Sequence, residues 1–149
     1  MIVVCNIHDC IGPAVVSSSS NSGFTIIGSV FGKNGGTAIT SQNGLNANYR
    51  RLRIISGNTI DGNGGSAIVI DYPFNHDVIN NMITNHTTSG TYGIAVTGGN
   101  SPDLYKFFTD YNTFYNNLQN YSGISPGAHD TLLTTDPYVN AATENYALA

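Results

Sequence analysis

The chain has 149 residues and a mass of 15.8 kDa, enough for one domain with a core of its own. Hydrophobic residues make up 40% and charged residues only 9%, with a net charge of −4, which excludes a disordered charged tail and a basic nucleic-acid binder. Its polar bulk is 19 Asn, 17 Gly, 15 Thr and 13 Ser, and with only five Lys and Arg it lacks the residues that build exposed helices, so an all-helical fold is excluded too.

In chain order, residues 1–6 show no basic stretch and no long apolar run, so no signal peptide is read there. No segment approaches the roughly 18 apolar residues of a membrane span. Residues 2–16 (IVVCNIHDCIGPAVV) form a first copy of a repeat. They contain Cys5 and Cys10, which extended chain would hold about 16 Å apart, too far for a disulfide. Neither cysteine belongs to a metal-binding spacing. Residues 26–40 (IIGSVFGKNGGTAIT) and 55–69 (ISGNTIDGNGGSAIV) align without a gap at an offset of 29, with seven of fifteen positions identical. At an offset of 24 the first copy joins them: Gly12, Gly36 and Gly65 coincide, as do Ala14, Ala38 and Ala67, and Val15, Ile39 and Ile68. A fourth copy covers 78–96, with Asn81 matching Asn58 and three extra residues before Tyr92. A partial fifth copy lies near 109–121, and 122–149 form a closing segment. Ser101, Pro102 and Asp103 read as a helix start.

Within each copy apolar residues alternate with period two and then break at Gly or Asn, the pattern of short strands joined by turns. One copy cannot bury its own apolar row, whereas stacked copies can. These copies resemble the coils of a right-handed parallel β-helix of the pectate-lyase-like superfamily, whose repeats read Ile-x-x-Asn-x-Ile, a Gly-rich turn, then Gly-x-Ala-Ile-x-Ile. The tail resembles the closing segment of such proteins, with Asp136-Pro137-Tyr138-Val139 before a last strand at 145–148. The resemblance implies an all-β solenoid of about four to five coils, 1–149 as one domain, and a possible fragment of a longer helix. It implies no single activity, because the fold hosts lyases, hydrolases, epimerases and adhesins.

The register predicts that Ile26, Phe31, Ile39, Ile55, Ile60, Ile68, Ile70, Val78, Ile83, Ile94 and Val96 point inward. Cys5, Ser29, Asn58, Asn81 and Asn112 fall in one column at a tight turn. In this fold such a column forms an internal amide ladder, so these asparagines are read as structural rather than catalytic.

Enzymes of this fold act on the outer face of the strand after the Gly-rich turn. Here that face is Ala14, Val16, Ala38, Thr40, Ala67, Val69, Gly93 and Ala95, with no ionisable side chain for acid–base work. No acidic cluster supplies the six to eight oxygens of a calcium site, and no paired carboxylates of a glycosidase are evident. No cofactor and no metal site are read, and an enzyme is disfavoured. The richest polar cluster lies on the neighbouring loops: Tyr49, Arg50 and Arg51 on one, and Asp71, Tyr72 and His76 on the next. Together Arg50, Arg51, Asp71, Tyr72 and His76 could grip a sugar or a uronate carboxylate. A second cluster, Lys33, Asp61, Asn63 and His86, falls on the opposite turn. Tyr105, Tyr111, Tyr115, Tyr121, Tyr138 and Tyr146 crowd the last third and are expected to plug the end of the coil.

The function expected is therefore a carbohydrate-associated or adhesin-type module with an extracellular or surface location by analogy of fold. Polysaccharide is the expected partner, with no nucleic acid and no membrane. The Ala/Val/Thr outer strip is the expected self-association surface. A polysaccharide lyase or hydrolase, and a purely structural assembly module, are the alternatives.

Overall fold

The structure is a computed structural model that describes residues 1–18, 23–42, 51–98 and 107–149. Arg50, Tyr49, Tyr105 and the helix start expected at 101–103 lie outside the described residues. From Ile2 to Ser122 the chain visits three parallel sheets in rotation, and the strand at Thr131–Leu132 then returns to the second. The first contains β1 (Ile2–Val3), β4 (Phe24–Ile27), β7 (Arg53–Ser56), β10 (His76–Ile79) and β13 (Phe107–Asp110). The second contains β2 (Asn6–His8), β5 (Val30–Gly32), β8 (Thr59–Asp61), β11 (Met82–Thr84), β14 (Thr113–Tyr115) and β16 (Thr131–Leu132). The third contains β3 (Val15–Ser17), β6 (Ile39–Gln42), β9 (Ile68–Asp71), β12 (Ile94–Thr97) and β15 (Tyr121–Ser122). Stacked in this way they make a β-solenoid of about four turns.

Strand register follows the repeat. Ile39 pairs with Ile68 and Ile68 with Ile94; Phe31 pairs with Ile60, Ile60 with Ile83 and Ile83 with Phe114. A one-residue slip would turn every isoleucine outward, so the apolar rows pin the register. All the residues expected inside are buried, and Phe114 joins them. Each fully buried Ile contributes roughly 1.5–3 kcal/mol relative to an exposed one.

Two turns repeat along the axis with one design. Between the first and second sheets, Val4, Gly28, Gly57, Asn80 and Tyr111 all take positive φ, between 49° and 64°. The next residue in each case joins a ladder along the stack, Cys5 by its backbone N–H alone. The N–H of Cys5 donates to Ser29 Oγ (3.1 Å), that of Ser29 to Asn58 Oδ1 (3.0 Å), that of Asn58 to Asn81 Oδ1 (3.1 Å) and that of Asn81 to Asn112 Oδ1 (3.1 Å). The Nδ2 groups of Asn58 and Asn81 add a second bond to the next amide at 3.0 Å each. Asp130 ends the ladder, accepting from the Asn112 N–H at 2.6 Å and from the Tyr121 hydroxyl.

A second ladder, not anticipated from the sequence, runs along the turn between the second and third sheets. Asp9, Lys33, Gly62, Asn85 and Asn116 take positive φ there. The Cys10 N–H donates to Asn34 Oδ1 (3.1 Å), the Asn34 N–H to Asn63 Oδ1 (3.0 Å) and the His86 N–H to Asn117 Oδ1 (3.0 Å). The cluster read as Lys33, Asp61, Asn63 and His86 thus divides. Asn63 and His86 belong to the buried column, whereas Lys33 lies one residue earlier, on the exposed turn.

The tail departs from the expectation of a tyrosine plug. Tyr121 does sit on the last coil, 4.9 Å from the Phe114 ring. Tyr138 and Tyr146 do not. β17 (Tyr138–Asn140) and β18 (Asn145–Leu148), joined by a 3-10 turn at Ala141–Thr143, form an antiparallel hairpin over the outer face of the second sheet. The Tyr146 hydroxyl donates to Asp61 (3.3 Å), the Tyr138 hydroxyl pairs with Thr84 Oγ1 (3.0 Å), and Thr84 and Asn85 donate to the same carboxylate (2.7 and 2.6 Å). Asp61 is buried here by the tail. A methyl group on Gly32 would sit 2.5 Å from the Tyr146 hydroxyl oxygen. Gly32→Ala is therefore expected to lift the hairpin, costing about 1–3 kcal/mol and speeding chymotryptic cleavage after Tyr138 and Tyr146. Unchanged cleavage would show that the hairpin is held elsewhere.

The expected outer strip is also smaller than read. Ala38 and Ala67 are fully buried members of the core, because the two-residue alternation begins only at Ile39 and Ile68, after a bend. Ala95 is 5% exposed. Val16, at 52%, is the exposed end of what remains, with Thr40 and Val69 partly covered.

Candidate functional site

The loop cluster expected to bind a sugar is only partly assembled. Asp71 ends β9 in register with Gln42 and Thr97, and the Thr97 hydroxyl donates to Asp71 Oδ1 at 3.3 Å. Tyr72 follows with φ of 57° and packs beside Gly98. Arg51 is exposed, next to Gly23, and no ion pair joins it to Asp71 among the described residues.

His76 is a clear departure from the sequence reading. It begins β10 with its ring inside the solenoid, fully buried. Its Nε2 is 2.8 Å from Ser41 Oγ, and its ring lies 6.4 Å from both Phe24 and Phe107. Arg53, also buried, occupies the neighbouring rung of the same row. Burial, and then the Arg53 charge, push the His76 imidazole down to about 3, so it is neutral at pH 7. A serine hydroxyl on a neutral imidazole is the geometry of an activated nucleophile. Here no substrate reaches it, since both residues are sealed. The loop that holds His76 looked exposed in sequence, but the strand after it begins at the histidine itself and turns that side chain inward.

The better-formed surface lies where the first sheet meets the closing segment. Phe108 projects from β13 and is 52% exposed. Two residues on, Asp110 holds His129: Oδ2 is 2.8 Å from His129 Nδ1, and Oδ1 accepts the backbone N–H of His129 (2.7 Å) and of Tyr111 (2.9 Å). The His129 bond, helped by these N–H groups, holds the Asp110 carboxyl below its ordinary value. Tyr111, in the left-handed turn after β13, stacks on the imidazole with ring centroids 4.6 Å apart and planes 4° from parallel. Both rings are about half exposed. Beside them Phe107, Phe108, Thr109, Ile124, Ser125 and Pro126 line a shallow cavity of about 240 Å³.

This surface suits binding more than catalysis. An Asp–His pair with one imidazole edge in water is a competent base. No hydroxyl or thiol is hydrogen-bonded to His129 among the described residues, and both Asp110 oxygens are occupied. Asp130, the nearest further carboxylate in sequence, is engaged by Asn112, Gly127 and Tyr121. What remains open is a pair of flat rings, a phenylalanine face and an apolar hollow. The sequence carried a partial signal: Tyr111 stood in the tyrosine-rich tail, and Gly127-Ala128-His129 in the closing segment, but nothing in their spacing joined them. Comparison of the chain with protein-family models, curated proteins and solved structures finds no match.

Proposed function

We propose that this β-solenoid is a carbohydrate-binding, adhesin-type module, coiled right-handed like the pectate-lyase-like proteins it resembles. The observation that carries the reading is the stacked, half-exposed Tyr111–His129 pair on a rigid sheet edge. Planar rings offer a polarised apolar face to the C–H side of a sugar ring, while His129 and Ser125 supply polar groups beside it. The strands beneath hold the rings in place, so little side-chain entropy is lost on binding.

A glycan-array screen followed by titration tests this. Tyr111→Ala is expected to weaken binding at least tenfold, the order of a lost aromatic contact, with the circular dichroism of the parent retained. Failure of the parent to hold any polysaccharide fragment, or retention of full affinity by Tyr111→Ala and Phe108→Ala, overturns it. The lyase alternative would instead reveal itself as near-ultraviolet absorbance from unsaturated products on pectate or alginate. Self-association through Val16, Thr40 and Val69 belongs to the same proposal, and molar mass measured on the same sample tests it.

A further inference from the structure

The hairpin brings one residue of the tail against the first coil, and the resulting cluster has the chemistry of a metal centre. His8 ends β2 in the outer row of the second sheet, Asp9 follows it in the left-handed turn, and Glu144 sits between the 3-10 turn and β18. His8 Nδ1 is 2.8 Å from Asp9 Oδ2 and 3.6 Å from Glu144 Oε2, and all three ligand atoms lie within 4.8 Å of one another. We propose that His8, Asp9 and Glu144 form a divalent-metal site of the zinc class that fastens the C-terminal hairpin to the first coil.

Donor type and spacing argue for this class. Zinc takes imidazole nitrogen and carboxylate oxygen at about 2.0–2.2 Å, which places ligand atoms about 3–4 Å from one another. The 2.8 Å pair lies just below that range, the 3.6 Å pair lies within it, and all three ligand atoms lie within 4.8 Å, so an ion enters with local adjustment of the three side chains. One nitrogen with two oxygens suits zinc, nickel or copper better than calcium, which needs six to eight oxygens. The side chains are partly open to solvent, leaving room for one or two waters to complete the coordination.

Lys33 is the built-in competitor. Its Nζ is 3.6 Å from Glu144 Oε1 and donates to the Ala142 carbonyl at 2.9 Å. It thus engages the glutamate oxygen that does not face His8, leaving Oε2 for an ion while opposing it electrostatically. Zinc binds the neutral imidazole, so uptake releases any proton that His8 carries. Because the ligands come from opposite ends of the chain, the ion would act as a cross-link on the hairpin rather than a local ornament.

The test is calorimetric titration of zinc into the chelator-treated full chain, in parent and in a Cys5→Ser/Cys10→Ser background that removes both free thiols as rival ligands. One zinc per chain is expected in both, with a rise in melting temperature and slower chymotryptic cleavage at Tyr138 and Tyr146. His8→Ala and Glu144→Gln should each weaken binding about tenfold or more, with Lys33→Met binding more tightly than the parent. Absence of zinc uptake by the parent, loss of uptake with the two thiols, or uptake that His8→Ala and Glu144→Gln leave unchanged overturns the site.

Discussion

Asn81→Ala is expected to lower stability by about 2–3 kcal/mol, because one truncation removes bonds on both sides of a buried rung. Asn81 Oδ1 accepts from the Asn58 N–H and from Asn58 Nδ2, and Asn81 Nδ2 donates to the Ile55 carbonyl at 3.0 Å. Alanine leaves the Asn58 N–H without its acceptor beside a site that is 1% exposed, and it strips the Ile55 carbonyl of its amide bond. Asn81→Ser should cost less, because Ser29 shows the column can use a hydroxyl: its Oγ accepts the Cys5 N–H at 3.1 Å. Urea denaturation of the parent and both variants checks this ordering. Equal losses for Ala and Ser would mean that packing of the amide, rather than its hydrogen bonds, sets the cost.

Acid should weaken the fold well above the ordinary range of its carboxylates, through His76. Above pH 6.5 the imidazole is neutral in both the folded and the unfolded chain and has no effect. Between 6.5 and about 3 the unfolded chain binds a proton that the buried ring refuses, so stability falls as pH falls. The slope reaches about 1.4 kcal/mol per pH unit, so roughly 2–3 kcal/mol is lost by pH 4.5 from this group alone. His86, lowered mainly by burial in the second ladder, acts in the same direction. Asp110, lowered by its bond to His129, adds a further loss at lower pH. His8 acts in the opposite sense: its raised value favours the folded chain below pH 6.5, but it is exposed and partnered by exposed or half-exposed groups, Asp9, Glu144 and Lys33. Denaturation at pH 7 and pH 4.5 should show the parent losing more stability than His76→Leu. The variant starts lower, having lost its Ser41 bond, but its profile should be flatter. Parallel profiles would remove His76 as the cause.

The cost of a mistaken register explains which residues could be placed early. Ile39, Ile68 and Ile94 repeat at the same point of each copy, and any other pairing would expose a whole row, so their stacking was legible without coordinates. Asn58 and Asn81 were legible for the same reason, since a ladder needs the same residue type at the same point of successive coils. The second ladder was present in the sequence as Asn34 and Asn63 at the offset of 29, but their Gly-Gly neighbours read as plain turns. His76 was misplaced because a histidine beside Pro73 and Asn75 looks like loop chemistry. Only the strand start, two residues earlier than the copy read from Val78, turns it inward onto Ser41.

By itself the sequence determined that the chain coils, where each coil turns and which apolar rows stack, because a repeat specifies neighbours by translation. Tertiary structure alone decided what lies over the outer faces. The hairpin carrying Tyr138 and Tyr146 has no counterpart in the repeat, and its seat on Asp61, Thr84 and Gly32 is specified by hydroxyl bonds and a missing side chain. The same holds for His129 on Asp110 and for Glu144 beside His8, contacts between segments that share no period. Periodicity carries information only about like residues in like positions. Both proposed sites lie where unlike segments cross.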